Sequence, residues 1–149
     1  MDDKMIKAAQ ALSVDRDGVW RHEGIEITHE RTWKMFSRTL DRDDQGKYFL
    51  RIGHEFAYVQ VEDAPLIVDA LRLVDGVVRL TLKDETHEEL DPDTLYLTAE
   101  NVPYCTVRDG KMPAKFSRTA YYELAEFIRE EGDGFVLDLG ETTHPIRFE

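Results

Sequence analysis

The chain is poor in the residues that would commit it to a specialised chemistry. It holds one cysteine, Cys105, in 149 residues. A single thiol excludes an internal disulfide and a cysteine-rich metal site, and it fits a reducing cytoplasm. Long apolar runs are missing too: a membrane span needs roughly 18 apolar residues. The most apolar stretch, 65–74, is broken by Asp69 and Arg72. The opening MDDKMIKAAQ puts acids ahead of any apolar run, which is not a secretory pattern. Basic residues are scarce, 19 against 31 acids, for a net charge of −12. Such a field repels phosphate backbones, so neither nucleic acid nor a membrane is an expected partner. A local basic pocket for one small anion remains compatible with it.

Signatures of catalysis are also missing. There is no Gly-x-Gly-x-x-Gly, no Walker sequence, no nucleophile elbow and no kinase set. No carboxylate pair stands in a context that marks glycoside hydrolysis. Four of the five histidines precede a glutamate (His22, His29, His54 and His87). Adjacent residues do not face one another on a helix or a strand, so these dipeptides are not chelating pairs. No metal site and no cofactor are expected. Cys105 falls inside an apparent strand and reads as a small buried hydrophobe rather than a nucleophile.

What is present describes a globular chain, 42% hydrophobic and 34% charged. Met5, Ala8, Ala9 and Leu12 recur at helical spacing, which predicts an N-terminal helix within residues 1–16. A first β-rich half follows over 17–75, with a helix near 28–40. Thr28 is its expected cap, and Trp33, Phe36 and Leu40 its buried stripe. KYFLRI and FAYVQVE read as strands. Asp75-Gly76 between two apolar runs is a strong hairpin signal, because the primed turn needs positive φ at both central residues. A second β-rich half over 76–149 holds Val78, Leu80 and Leu82 facing inward. DETHEELDPDT reads as a loop, and Asp109-Gly110 as another hairpin turn. A helix near 117–131 is capped by Ser117, with Tyr121, Leu124, Ala125 and Ile128 as its stripe. FVLDL and HPIRF close the chain as strands. The expected fold is α+β with mainly antiparallel sheet, two similar halves packed as one compact unit, each with one long helix.

The two halves repeat one another. Residues 19–53 laid over 105–140 align Gly24 with Gly110 and Ile27-Thr28 with Phe116-Ser117. Trp33 then matches Tyr122, Met35 matches Leu124, and YFLRIG matches FVLDLG. A duplicated supersecondary unit is the expectation.

Two arginines stand at the ends of elements in the second half. Arg108 ends a strand, and Arg118 lies in the first turn of a helix. A helix N-terminus carries positive potential, so the dipole disfavours a cation there. The arrangement makes sense if an anion or an acidic side chain sits between the two. The acid could be internal, Glu62 or Asp63 in VEDAP, or it could be a small anionic ligand. Both readings stay open. Tyr104, Tyr121 or Tyr122 could offer a stacking face, Tyr121 reading rather as core.

DGVWRHEGIEIT, VQVEDAPLIV and VPYCTVRDGKMPAKFSRTAYYEL, in this order and spacing, resemble the bacterial domain of unknown function 1285 family over about residues 17–140. The resemblance implies a duplicated α+β core whose C-terminal half is similar to pleckstrin-homology-like folds. It implies a role in signalling, with a nucleotide-like ligand between the halves, and no catalytic residue. DRDDQG and DETHEELDPD depart from the family pattern. Together these expectations describe a cytoplasmic, non-enzymatic module. Arg108 and Arg118 hold an anion, Glu62 and Asp63 orient them or contact hydroxyls, and Tyr104 stacks. The alternative is a protein-interaction domain without a small ligand.

Overall fold

A computed structural model describes residues 11–149. The chain divides into two units, 1–65 and 66–149. The division falls at Pro65, ten residues before the hairpin turn that the sequence suggests as a boundary. The reason is pairing: both strands of that hairpin belong to one sheet.

In the first unit the order is β1 (Leu12–Val14), β2 (Trp20–His22), β3 (Ile25–Glu26), α1 (Glu30–Thr39), β4 (Asp41–Arg42), β5 (Tyr48–Ile52) and β6 (Glu55–Val61). The expected N-terminal helix lies mostly outside the described residues. Its last stripe residue, Leu12, is in a strand, because Leu12–Val14 pairs antiparallel with β2 while Ser13 and Val14 pair parallel with β6. The six strands form one mixed sheet, ordered β3-β2-β1-β6-β5-β4. Leu50, Ala57 and Val59 are buried on β5 and β6. Phe36 on α1 meets Trp20 at 5.5 Å between ring centroids. The helix starts one residue later than the sequence suggests: His29, not Thr28, is the N-cap, and its side chain makes no capping bond. Ile27 N–H still donates to the Trp20 carbonyl, which keeps the chain extended up to that point.

The second unit contains β7 (Leu66–Val74), β8 (Val77–Leu82), β9 (His87–Glu89), a 3-10 turn (Pro92–Thr94) and β10 (Tyr96–Leu97). Then come β11 (Pro103–Val107), β12 (Met112–Phe116), α2 (Arg118–Ala125), β13 (Ile128–Glu131), β14 (Gly134–Asp138), β15 (Thr143–Pro145) and β16 (Arg147–Phe148). Seven strands form a mixed sheet, ordered β16-β10-β11-β12-β7-β8-β9; β13, β14 and β15 form a second sheet. The Asp75-Gly76 turn has φ of 52° and 81°, as a primed hairpin turn requires. Val78, Leu80 and Leu82 are at most 1% exposed, confirming the inward face of β8. Two expectations change. DETHEELDPDT is not all loop: His87–Glu89 pairs with β8 as the edge strand of its sheet. The second helix ends at Ala125, and Ile128 instead pairs with Leu137 in β13. Ala125 is exposed, and Ala120 takes the buried place beside Leu124.

The repeat holds at the level of elements. β2-β3-α1-β4-β5-β6 and β11-β12-α2-β13-β14-β15 share one order: a hairpin, a helix, then three strands paired antiparallel in sequence. Phe49 and Val136 are both 8% exposed, and Leu50 and Leu137 both 0%. That agrees with the alignment of YFLRIG on FVLDLG. The helix register does not agree, since Met35 is 47% exposed where Leu124 is fully buried. Sliding the helices by two residues sets buried Ser37 against Leu124, so one offset serves both helix and strand.

Candidate functional site

Arg108 and Arg118 stand at opposite ends of the β11–β12 hairpin. Val107 pairs with Met112 at the turn end, and Tyr104 with Lys115 towards the other. At about 3.3 Å rise per residue, the arginines are roughly 20 Å apart along the strands. They line different cavities.

Arg108 sits at the turn in the left-handed region, with φ 53°. Its Nη2 donates to Asp84 Oδ2 at 3.2 Å, and its backbone N–H donates to Glu88 Oε1 at 2.9 Å. The Asp84 side chain is 0% exposed and that of Arg108 is 19%. Asp84 also accepts from the backbone N–H and the hydroxyl of Thr86. The internal acid is therefore Asp84, not Glu62 or Asp63. Sequence reasoning missed it because Asp84 lies in a polar run, 24 residues away. The cavity beside Arg108, about 430 Å³, also presents Glu88, Glu89, Asp91 and Asp109. Four carboxylates around one committed guanidinium make a poor seat for an anion.

Glu62 and Asp63 belong to the first unit. Glu62 accepts from Arg16 Nη2 at 2.9 Å, Nε at 3.2 Å and backbone N–H at 2.8 Å. These bonds hold its carboxyl below the usual carboxylate range. Its counter-cation is thus local, and Asp63 stands exposed next to it.

Arg118 has a different setting. It is exposed, in the first turn of α2, with no ion-pair partner among the described residues. Ser117 caps the helix as expected, its Oγ accepting from Ala120 N–H at 3.1 Å. Around this turn a cavity of about 320 Å³ opens, bounded by Lys115, Arg118, Tyr121 and Tyr122, with Glu100 as its acid. The Tyr121 and Tyr122 rings lie 6.1 Å apart at 16°, and Tyr122 is 64% exposed. Lys115 was not foreseen as a site residue; the alternation of β12, with Ala114 and Phe116 buried, turns it outward beside Arg118. Tyr104 pairs with Lys115 in the ladder, and its ring stacks on Tyr96 at 5.3 Å and 8°. Its face is engaged by a neighbouring strand.

Cys105 is 1% exposed. Burial, with the Glu88 charge adding to it, pushes its thiol up to about 12. A thiol in that state is no nucleophile at neutral pH. An aromatic disulfide reagent at about pH 8 should react with Cys105 at least a hundredfold slower in the native than in the denatured protein. Equal rates would show that the interior of the second sheet opens freely. Among the described residues no group of three or more His, Cys, Asp or Glu is placed to hold a metal ion. None of the described helices is long and apolar enough to cross a membrane.

These features define a β-rich α+β protein of mixed sheets whose second unit bears a small cavity with two cations and two aromatic rings. Residues 5–64 match the family model described as domain of unknown function (DUF1285), N-terminal domain. Two solved structures are similar in fold. A DUF1285 family protein from Silicibacter pomeroyi aligns with a TM-score of 0.75 at 21% identity, over 92% of this chain and 79% of its own. A second, from Shewanella baltica, aligns with a TM-score of 0.67 at 24% identity, over 78% of this chain and 91% of its own. The resemblance carried by the sequence motifs therefore holds: residues 5–64 match that family's N-terminal model, and two solved members of the family share the fold. No curated protein matches it.

Proposed function

We propose that this chain is a cytoplasmic, non-enzymatic binding module for a small anionic, nucleotide-like ligand, serving in signalling. We place the ligand in the second unit, in the cavity at the start of α2. The observation that carries this reading is the convergence of Lys115 and Arg118 on a cavity of about 320 Å³ beside Tyr121 and Tyr122. In a chain of net charge −12, two cations against a single bordering acid make a local exception. Each could serve a phosphate oxygen, Arg118 as a fork and Lys115 as a point charge. Tyr122 offers an exposed ring for a planar group, and Glu100 an acceptor for ribose-type hydroxyls. We further propose, as the sequence resemblance implies, that the second unit is pleckstrin-homology-like with mainly antiparallel sheet.

A thermal-shift panel of nucleotides and phosphorylated metabolites tests it. At least one compound should raise the melting midpoint by about 3–5 °C at tenfold excess over its Kd. Arg118→Ala and Lys115→Ala should each weaken that compound at least tenfold, while Arg108→Ala, once folded, should not. A silent panel, or a response indifferent to both variants, would sink the proposal.

The second reading is a protein-interaction domain. It draws on Ile25, 72% exposed on β3 at the edge of the first unit's sheet. An exposed apolar residue on an edge strand suits strand addition by a partner.

A further inference from the structure

The β7–β8 hairpin holds a second cationic pair, apart from the cavity just described. Arg72 and Arg79 stand directly opposite one another in its ladder. Their neighbours Leu71 and Leu80 are buried, so strand alternation turns both arginines to the outer face, where both are exposed. Opposed residues on antiparallel strands lie about 4.5–5.5 Å apart at Cα, and like charges so placed destabilise the pair. Among the described residues neither guanidinium has an ion-pair partner. Glu89 on β9 faces Arg79 from the side away from Arg72, and it forms no salt bridge with it. Two guanidiniums side by side, neither in a salt bridge with the one acid opposite Arg79, are out of character for a chain with 31 acids and 19 bases.

The surroundings complete the picture. Towards the turn, the next outward pair is Val74 opposite Val77, both half-buried. Away from it, Ala70 stands opposite Thr81, and Thr81 Oγ1 lies 3.3 Å from His87 Nδ1. The arginine pair thus has an apolar step on one side and a polar one on the other.

We propose that Arg72 and Arg79 clamp the dianion of a phosphate monoester on this face, with its organic part resting on Val74 and Val77. Each guanidinium presents a fork of parallel N–H donors. A carboxylate, with one charge and two oxygens, is filled by a single fork. A phosphate monoester carries close to two negative charges and three terminal oxygens, which matches two forks approaching from adjacent strands. The bound dianion turns the repulsion between the arginines into attraction to a shared partner.

The test uses the full chain in phosphate-free buffer. Inorganic phosphate at tenfold excess over its Kd should raise the wild-type melting midpoint by about 3–5 °C. Arg72→Gln and Arg79→Gln should melt no lower than wild type without phosphate, and should not respond to it. Arg79→Lys, which keeps the charge and loses the fork, should keep only part of the shift. Arg118→Ala should respond as wild type does, which separates this clamp from the cavity at α2. Co-sedimentation with phosphatidylcholine vesicles containing phosphatidic acid identifies the source of the phosphate. Sedimentation lost in Arg72→Gln assigns the clamp to a lipid headgroup; response to free phosphate alone assigns it to a soluble monoester. Neither phosphate response nor sedimentation, or a response that Arg72→Gln retains, overturns the proposal.

Discussion

Arg108→Ala is expected to destabilise the protein by about 3–5 kcal/mol, the cost of leaving a buried charge without its partner. The carboxylate left behind is Asp84, whose side chain is 0% exposed. Thr86 would still donate its N–H and hydroxyl to Asp84 Oδ1, but Oδ2 would lose its cation. The positive φ of Arg108 adds little, because alanine there is as strained as arginine. Urea unfolding of wild type, Arg108→Ala, Asp84→Asn and the double variant forms a cycle. A coupling of at least about 1.5 kcal/mol is expected for a direct, partly buried pair. If Arg108→Ala cost less than about 1 kcal/mol, the pair would rank with surface salt bridges. Arg108 would then be free for a ligand after all.

The elements that were legible in the sequence are those whose cause is local. Asp75-Gly76 announced its turn because two consecutive residues there must take positive φ. Ser117 announced its cap because a hydroxyl before an apolar stripe satisfies an N–H of the first helical turn. The failures share a non-local cause. Leu12 fits a helical stripe, yet its strand is paired to β2 and, parallel, to β6 some 47 residues on, as in Ser13 with Gln60. Ile128 fits the stripe of α2, yet cross-strand pairing with Leu137 removes it from the helix. His87–Glu89 is too polar to announce a strand, but an edge strand asks only for backbone partners on one side. The site followed the same rule. Arg118 was visible because a cation in the first turn of a helix breaks a local preference. Lys115 was not, because its importance comes from standing next to Arg118 at the same cavity. The distance between Arg108 and Arg118 was open to reading, since Asp109-Gly110 was expected as a hairpin turn and the strand after it carries the chain away from Arg108 before α2 begins.

Leu124→Ala should cost about 2–5 kcal/mol, the range for emptying a fully packed leucine site. Leu124 is 0% exposed and Ala120, one turn earlier on the same face, is also 0% exposed. Next to it, Glu123 Oε1 accepts from Leu71 N–H at 3.3 Å, which ties α2 to β7 where β12 has stopped pairing with it. The helix has only eight residues, too few to hold its shape by propensity alone. Leu124 is therefore its main anchor, and Arg118 depends on that anchor for its position. Leu124→Met conserves volume and should cost under about 1.5 kcal/mol. The comparison separates packing from binding. In conditions where both variants are folded, Leu124→Ala should weaken the α2 ligand while leaving the phosphate response of Arg72 and Arg79 intact, since their strands keep their ladder. If Leu124→Ala weakened both responses alike, the hairpin and the helix would be one cooperative unit, and Arg118 would owe its place to the sheet rather than to the helix core.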